Sequence, residues 1–248
     1  MVVTLIGVSL IGLVTGLLIN YLADVLPLTR RISRPICVEC GRPLGWRNFL
    51  LFRPCPVCST PRSLRSYLVP IAAMVAYAAA WIWQSGRIPF WLAAIVLAYF
   101  GLVVIIDLEH RLILHPVSLV GLILGLGFGV YVNGIVKTLL GGAAGFIIML
   151  ALYYLGELFA RWLAKRRGQT LDEVALGFGD VNLTAVLGLM LGWPAVLAGI
   201  VVAILLAGLV SMIYLVYLLI TRRYRLFTAI PYAPFLVIGT VILLSFIR

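Results

Sequence analysis

Runs of about twenty apolar residues constrain this chain more than any other feature. A helix needs roughly that length to cross the hydrocarbon core of a bilayer. Eight such runs are read here: 2–22, 67–83, 89–106, 116–135, 139–158, 181–191, 195–220 and 227–246. The sixth is short, and only Trp193-Pro194 marks its exit. The runs are continuous and lack the alternation of a barrel strand, so helices are the spanning form. Apolar residues make up 64% of the 248 and charged residues only 11%, which excludes a soluble fold with an ordinary charged surface. The expected fold is an all-α polytopic membrane protein with about eight transmembrane helices. The first run lacks a basic leading segment and a small-residue cleavage site, so it reads as a span and not as a cleavable signal.

Cations set the expected orientation. Sixteen of the nineteen Lys and Arg fall in 23–66, 107–115, 159–180 and 221–226, and only Arg87, Lys137 and Arg248 lie on the other side. Lys and Arg are retained in the cytoplasm. The first set therefore faces the cytosol, and both termini face outward in a multi-pass inner (cytoplasmic) membrane protein. Topology and contact with anionic membrane lipid account for the net charge of +11, and no nucleic-acid partner is expected. Gly12/Gly16, Gly121/Gly125/Gly129 and Gly141/Gly145 recur four apart, as close helix packing requires.

All four cysteines form a CxxC…CxxC set, Cys37, Cys40, Cys55 and Cys58. Two tight knuckles supplying four thiolates close a structural zinc site with no open position. The surrounding cations are expected to favour the thiolates. A reducing cytosol disfavours disulfides. The competing reading is a redox or merely structural thiol set. The chain divides on this reading into a first helix (1–26), a cytosolic four-cysteine zinc-binding loop (27–66) and a membrane-embedded bundle (67–248).

An acid at the edge of hydrocarbon is costly and marks a functional candidate. Asp107 follows the apolar run 97–106, and Asp180 closes Gly177-Phe-Gly179-Asp180 and opens the sixth span. Both fall at the expected cytosolic boundary, where two helix ends can face each other. Neighbouring carboxyls share one proton, so that one draws a proton from water while the other polarises a carbonyl. Gly177 and Gly179 would let substrate or a partner helix approach the second acid. The plainer readings are an interfacial anchor paired with Arg111 for Asp107, and a helix N-cap for Asp180. Asp24 reads as an interfacial residue, Glu109 and His110 as exposed loop residues, and His115 as an interfacial side chain. Glu157 and Arg161 have helix ion-pair spacing, while Asp172 and Glu173 belong to a solvated loop.

With these residues in place, the chain resembles the type IV prepilin peptidases, GxGD-type membrane aspartyl proteases. Five segments carry the resemblance in order: Gly16-Leu-Leu-Ile-Asn20 with Leu26-Pro27, the paired CxxC motifs, Asp107-Leu-Glu-His, Gly177-Phe-Gly-Asp180 and Ile230-Pro231-Tyr-Ala-Pro234. The resemblance implies catalysis by Asp107 and Asp180. The reaction would be removal of the short leader of type IV prepilins or type II secretion pseudopilins at the cytoplasmic membrane face. Similar enzymes also methylate the new N-terminus with S-adenosylmethionine. The chain departs from the family at Leu114-His115, Asn182, Val25 and the stretch Tyr67-Leu-Val-Pro70-Ile71, which lacks a usual glutamate. None of these touches the two acids, and the missing glutamate bears on methylation. A transporter or binding protein using interfacial carboxylates for protons or cations is the reading of another class. It would want acids near mid-membrane and repeated halves.

Overall fold

A computed structural model describes residues 2–83, 88–167, 177–221 and 231–246. Six helices among the described residues are long and apolar enough to cross a membrane, and two shorter apolar ones accompany them. They overlap the eight apolar runs, because in hydrocarbon every backbone polar group must be satisfied within its own helix. Residues 227–230 of the last run lie outside the described residues. The chain forms two compact units, residues 1–110 and 111–248. Arg222, Arg223 and Arg225 lie outside the described residues, as do Asp172 and Glu173.

The first unit contains α1 (Val2–Thr29), α2 (Trp46–Leu50), α3 (Leu64–Ile82) and α4 (Phe90–His110). Glycines set the α1–α3 crossing. A Cβ at Gly12 would lie 2.8 Å from the Ala73 carbonyl oxygen, and one at Gly16 would strike Pro70 backbone. Lipid tails give no hydrophobic drive between helices, so backbone proximity and its dispersion contacts hold the pair. Near the cysteine-loop end of this seam, buried Asn20 donates from Nδ2 to the Ser66 carbonyl at 3.0 Å. The Tyr77 hydroxyl donates to the Ala94 carbonyl at 2.7 Å and ties α3 to α4.

The second unit contains α5 (His115–Asn133), α6 (Ile135–Arg167), α7 (Phe178–Leu191), α8 (Ala195–Ile220) and α9 (Ala233–Phe246). Nearly all of α7 from Asp180 to Leu191 is buried. A helix apolar on all sides belongs inside a bundle, and protein enclosure lets it be shorter than the bilayer core. Glycines again permit the approach. Gly141 of α6 and Gly188 of α7 are reciprocal, each leaving room for the other's carbonyl, and a Cβ at Gly145 would lie 2.7 Å from the Thr184 carbonyl oxygen. The four-residue glycine spacings are thus packing devices. The expected Glu157–Arg161 ion pair is present at 2.5 Å on the exposed side of α6.

Candidate catalytic acids and metal centre

α4 continues through His110, so Asp107 lies inside the helix, one turn from its end. It is 5% exposed and shares the buried side of α4 with Val103 and Ile106. Glu109 and His110, expected in an exposed loop, are instead the last two residues of this helix. The helix outlasts its apolar run because Glu109 is held from α3, where Arg65 Nη1 sits 3.0 Å from its Oε2.

Asp24 differs more sharply from the interfacial residue expected. Its side chain is 2% exposed and is held between two arginines: Arg62 Nη1 lies 3.4 Å from Oδ2, and Arg65 Nη2 bonds Oδ1. Burying a carboxylate is tolerable only when it is paired and hydrogen-bonded. Arg65 therefore joins Asp24 of α1 to Glu109 of α4, and Arg62 also rests its guanidinium on the Phe49 ring at 4.6 Å. Sequence reasoning counted these arginines only as topology signals. Arg62 precedes Ser63, the N-cap of α3, and Arg65 is in its first turn, so no helical spacing in the sequence relates the two.

Asp180 is the third residue of α7 and is 8% exposed. The N-cap is Gly177, whose backbone N–H donates to Asp180 Oδ2 at 3.1 Å. Asp180 thus supplies the returning half of a capping box, while glycine has no side chain to give the other half. Gly179 is filled by a neighbour within its unit, since a Cβ there would lie 2.9 Å from Ile113 Cβ. Gly177 has ordinary space. Tyr232, not singled out in the sequence, lies within the electrostatic reach of Asp180. His115 is exposed at the start of α5.

The four cysteines converge. Their sulfurs all lie within 4.8 Å of one another, with Cys37–Cys58 at 3.6 Å and Cys40–Cys55 at 3.8 Å. A tetrahedral thiolate site with metal–sulfur bonds of about 2.3 Å has edges of about 3.8 Å, so the donor set fits a four-coordinate metal ion. All four thiols are free of disulfide bonds.

The two knuckles repeat one backbone pattern. Cys37 N–H donates to the Arg42 carbonyl and Gly41 N–H to the Cys37 carbonyl. Likewise Cys55 N–H donates to the Thr60 carbonyl and Ser59 N–H to the Cys55 carbonyl. The fifth residue of each is left-handed, Gly41 at φ 67° and Ser59 at φ 56°. Beneath them Ile36, Leu44 and Phe49 pack on Tyr21 and Val25 of α1, giving the loop a small core.

Cations were expected to favour the thiolates, but hydrogen bonds dominate. The Thr60 hydroxyl, followed by its backbone N–H, pulls the Cys58 thiol down to about 6. Backbone N–H groups of Cys58 and Val57 lower Cys55. At Cys40 the Arg42 backbone N–H pulls down, but burial and the neighbouring thiols outweigh it and carry the group up to about 11.

These features define an all-helical integral membrane protein with buried acids at helix ends and a four-cysteine cluster able to hold a metal ion. The model of the type IV leader peptidase family matches residues 91–216. A prepilin leader peptidase/N-methyltransferase of Myxococcus xanthus is 27% identical, covering 83% of this chain and 61% of its own length. Similarly named proteins of Pseudomonas putida and Aeromonas hydrophila are 28% and 29% identical, covering 82% and 87% of this chain and 68% and 72% of their own. The chain therefore spans about three fifths of the Myxococcus relative. No solved structure matches it. The chain belongs to the type IV leader peptidase family.

Proposed function

We propose that this protein is a membrane aspartyl endopeptidase that removes the short leader of type IV prepilins and pseudopilins. The observation that carries the reading is the family match over 91–216, a span that includes both Asp107 and Asp180. In the proposed reaction one carboxylate takes a proton from water as the oxygen attacks the scissile carbonyl. The other, protonated, donates to the carbonyl oxygen, and the proton then passes to the leaving amine. The two acids occupy opposite ends of their helices, Asp107 in the last turn of α4 and Asp180 in the first turn of α7. They therefore meet opposite poles of the helix dipole, an asymmetry that suits a pair with unlike protonation roles. Gly177 and Gly179, which carry no side chain, are proposed to let the backbone of an extended peptide come close to Asp180.

The metal ion is proposed to be zinc, held by Cys37, Cys40, Cys55 and Cys58. It would supply a fixed charge and a crosslink for a loop with little core of its own, and no chemistry. The shared name of the relatives adds an N-methyltransferase activity. We carry it to this chain as the second half of the proposal, with S-adenosylmethionine as methyl donor. The concentration of Lys and Arg in one set of loops supports an inner-membrane location with the active site on the cytosolic side and both termini outward. Nothing in the family match favours a transporter.

The test is incubation of purified protein with a prepilin in lipid, read by mass spectrometry of the substrate's N-terminus. Cleavage is expected from the parent and absent in Asp107→Asn and Asp180→Asn. In the second variant the amide oxygen can still accept the Gly177 N–H, so the helix start survives while the carboxylate is lost. Processing by either well-folded variant would refute the assignment. Added S-adenosylmethionine should increase the product mass by one methyl group.

A further inference from the structure

The segment 46–52 is pinned between two tyrosines that mark the ends of apolar runs. Trp46 and Phe49 contact the ring of Tyr21 in α1, at 5.0 and 6.2 Å between centroids. Phe52 stacks on Tyr67 at the start of α3, at 4.9 Å. Tyr21 stands at the end of the first apolar run and Tyr67 opens the second, so both sit where aromatic side chains mark the headgroup level. The segment between them is held at both ends by these ring contacts.

Its side chains are sorted accordingly. Phe49 points into the small core of the loop and is 5% exposed, whereas Trp46, Leu50 and Leu51 are 51%, 49% and 54% exposed. Trp46 and Leu50 stand four apart, on one side of α2. Three large apolar groups left uncovered at the boundary of the hydrocarbon are costly in water and favourable in lipid. In the same loop Arg30, Arg31, Arg34, Arg42, Arg47 and Arg53 are all exposed, against Glu39 as the sole acid in 27–66, and Arg47 and Arg53 are chain neighbours of the apolar trio. Cations at this level are drawn to an anionic membrane surface.

We propose that Trp46, Leu50 and Leu51 insert into the bilayer interface and that Arg47 and Arg53 bind the phosphates of anionic phospholipid, seating the four-cysteine loop on the membrane. The occupant of this face is lipid. Its level is set by Tyr21 and Tyr67, and its cationic rim matches anionic headgroups.

The experiment uses the full chain in nanodiscs of phosphatidylcholine mixed with phosphatidylglycerol. The Trp46 emission is the difference between the parent and Trp46→Phe. Lipids brominated just below the headgroup should reduce it about twofold, with a smaller effect from bromines near the chain ends and none from aqueous iodide. In Leu50→Glu/Leu51→Glu, which retains Trp46, bromolipid quenching should fall and iodide quenching appear. The parent's bromolipid quenching should be stronger in the mixed nanodiscs than in pure phosphatidylcholine, and in Arg47→Gln/Arg53→Gln that difference should vanish. An unchanged difference would overturn the role of these two arginines. Trp46 quenched by iodide but not by bromolipid would overturn the proposal in favour of an aqueous face. Trp46 shielded from both would overturn it in favour of a protein partner or a second copy.

Discussion

Asp24→Asn isolates the interaction that joins α1 to the start of α3 beside the cysteine loop. The substitution keeps the shape and removes one negative charge between Arg62 and Arg65, whose side chains are only 11% and 13% exposed. Nε and Nη2 of Arg62 and Nε of Arg65 are buried with no hydrogen-bond partner, so Asp24 carries much of their compensation. Removing one partner of a buried ion pair costs about 3–5 kcal/mol, because the remaining charge stays desolvated. Glu109 retains Arg65, so the lower end applies, about 3 kcal/mol. For a chain of this size that corresponds to a fall of about 6–12 °C in the melting temperature. The assay is thermal unfolding in detergent, followed by intrinsic fluorescence. Glu109→Gln is the matched control: its carboxylate is 37% exposed, so the loss should stay within about 1 kcal/mol. Replacing the whole cluster by apolar residues, Asp24→Leu/Arg62→Leu/Arg65→Met, should recover most of the loss, since no charge is then stranded. An Asp24→Asn protein melting within about 2 °C of the parent would refute the reasoning. It would mean that water reaches these guanidiniums.

Three further outcomes follow from the packing and the knuckles. Gly188→Ala sets a methyl against the Gly141 carbonyl, a backbone atom that cannot rotate away; a loss of about 2–3 kcal/mol is expected by thermal unfolding. Ser59→Gly relieves a left-handed residue at φ 56° and should stabilise the second knuckle by about 1 kcal/mol, while Gly41→Ala should do the reverse in the first. Cys37→Ser/Cys40→Ser should abolish bound metal in elemental analysis and make residues 30–63 sensitive to protease, because the core of Ile36, Leu44 and Phe49 then lacks its crosslink. Unchanged metal content would remove these two cysteines from the ligand set.

Much of the helical scaffold could be read directly because hydropathy is a local property. The run 181–191 looked short for a span, and α7 is indeed only 14 residues long, yet it is enclosed by protein along most of its length. The cysteine cluster was equally legible, since two CxxC knuckles carry their geometry in their spacing. Asp24 and Glu109 were not. Their partners, Arg62 and Arg65, lie 38 to 44 residues away in the sequence, and no local pattern distinguishes a paired carboxylate from a solitary one. Nor did the basic loop act on its thiols as expected, because a hydroxyl from Thr60 reaches Cys58 at 3.0 Å.

From the sequence alone came the membrane class, the helical spans, the four-cysteine cluster and the two acids at helix ends. These rest on composition, run length and short-range spacing. Which carboxylates are buried, which arginines hold them and which aromatic rings fasten the cysteine loop to α1 and α3 were decided only by tertiary structure. The free energy of a charge or a ring depends on what surrounds it in space, and that is settled only when distant segments meet.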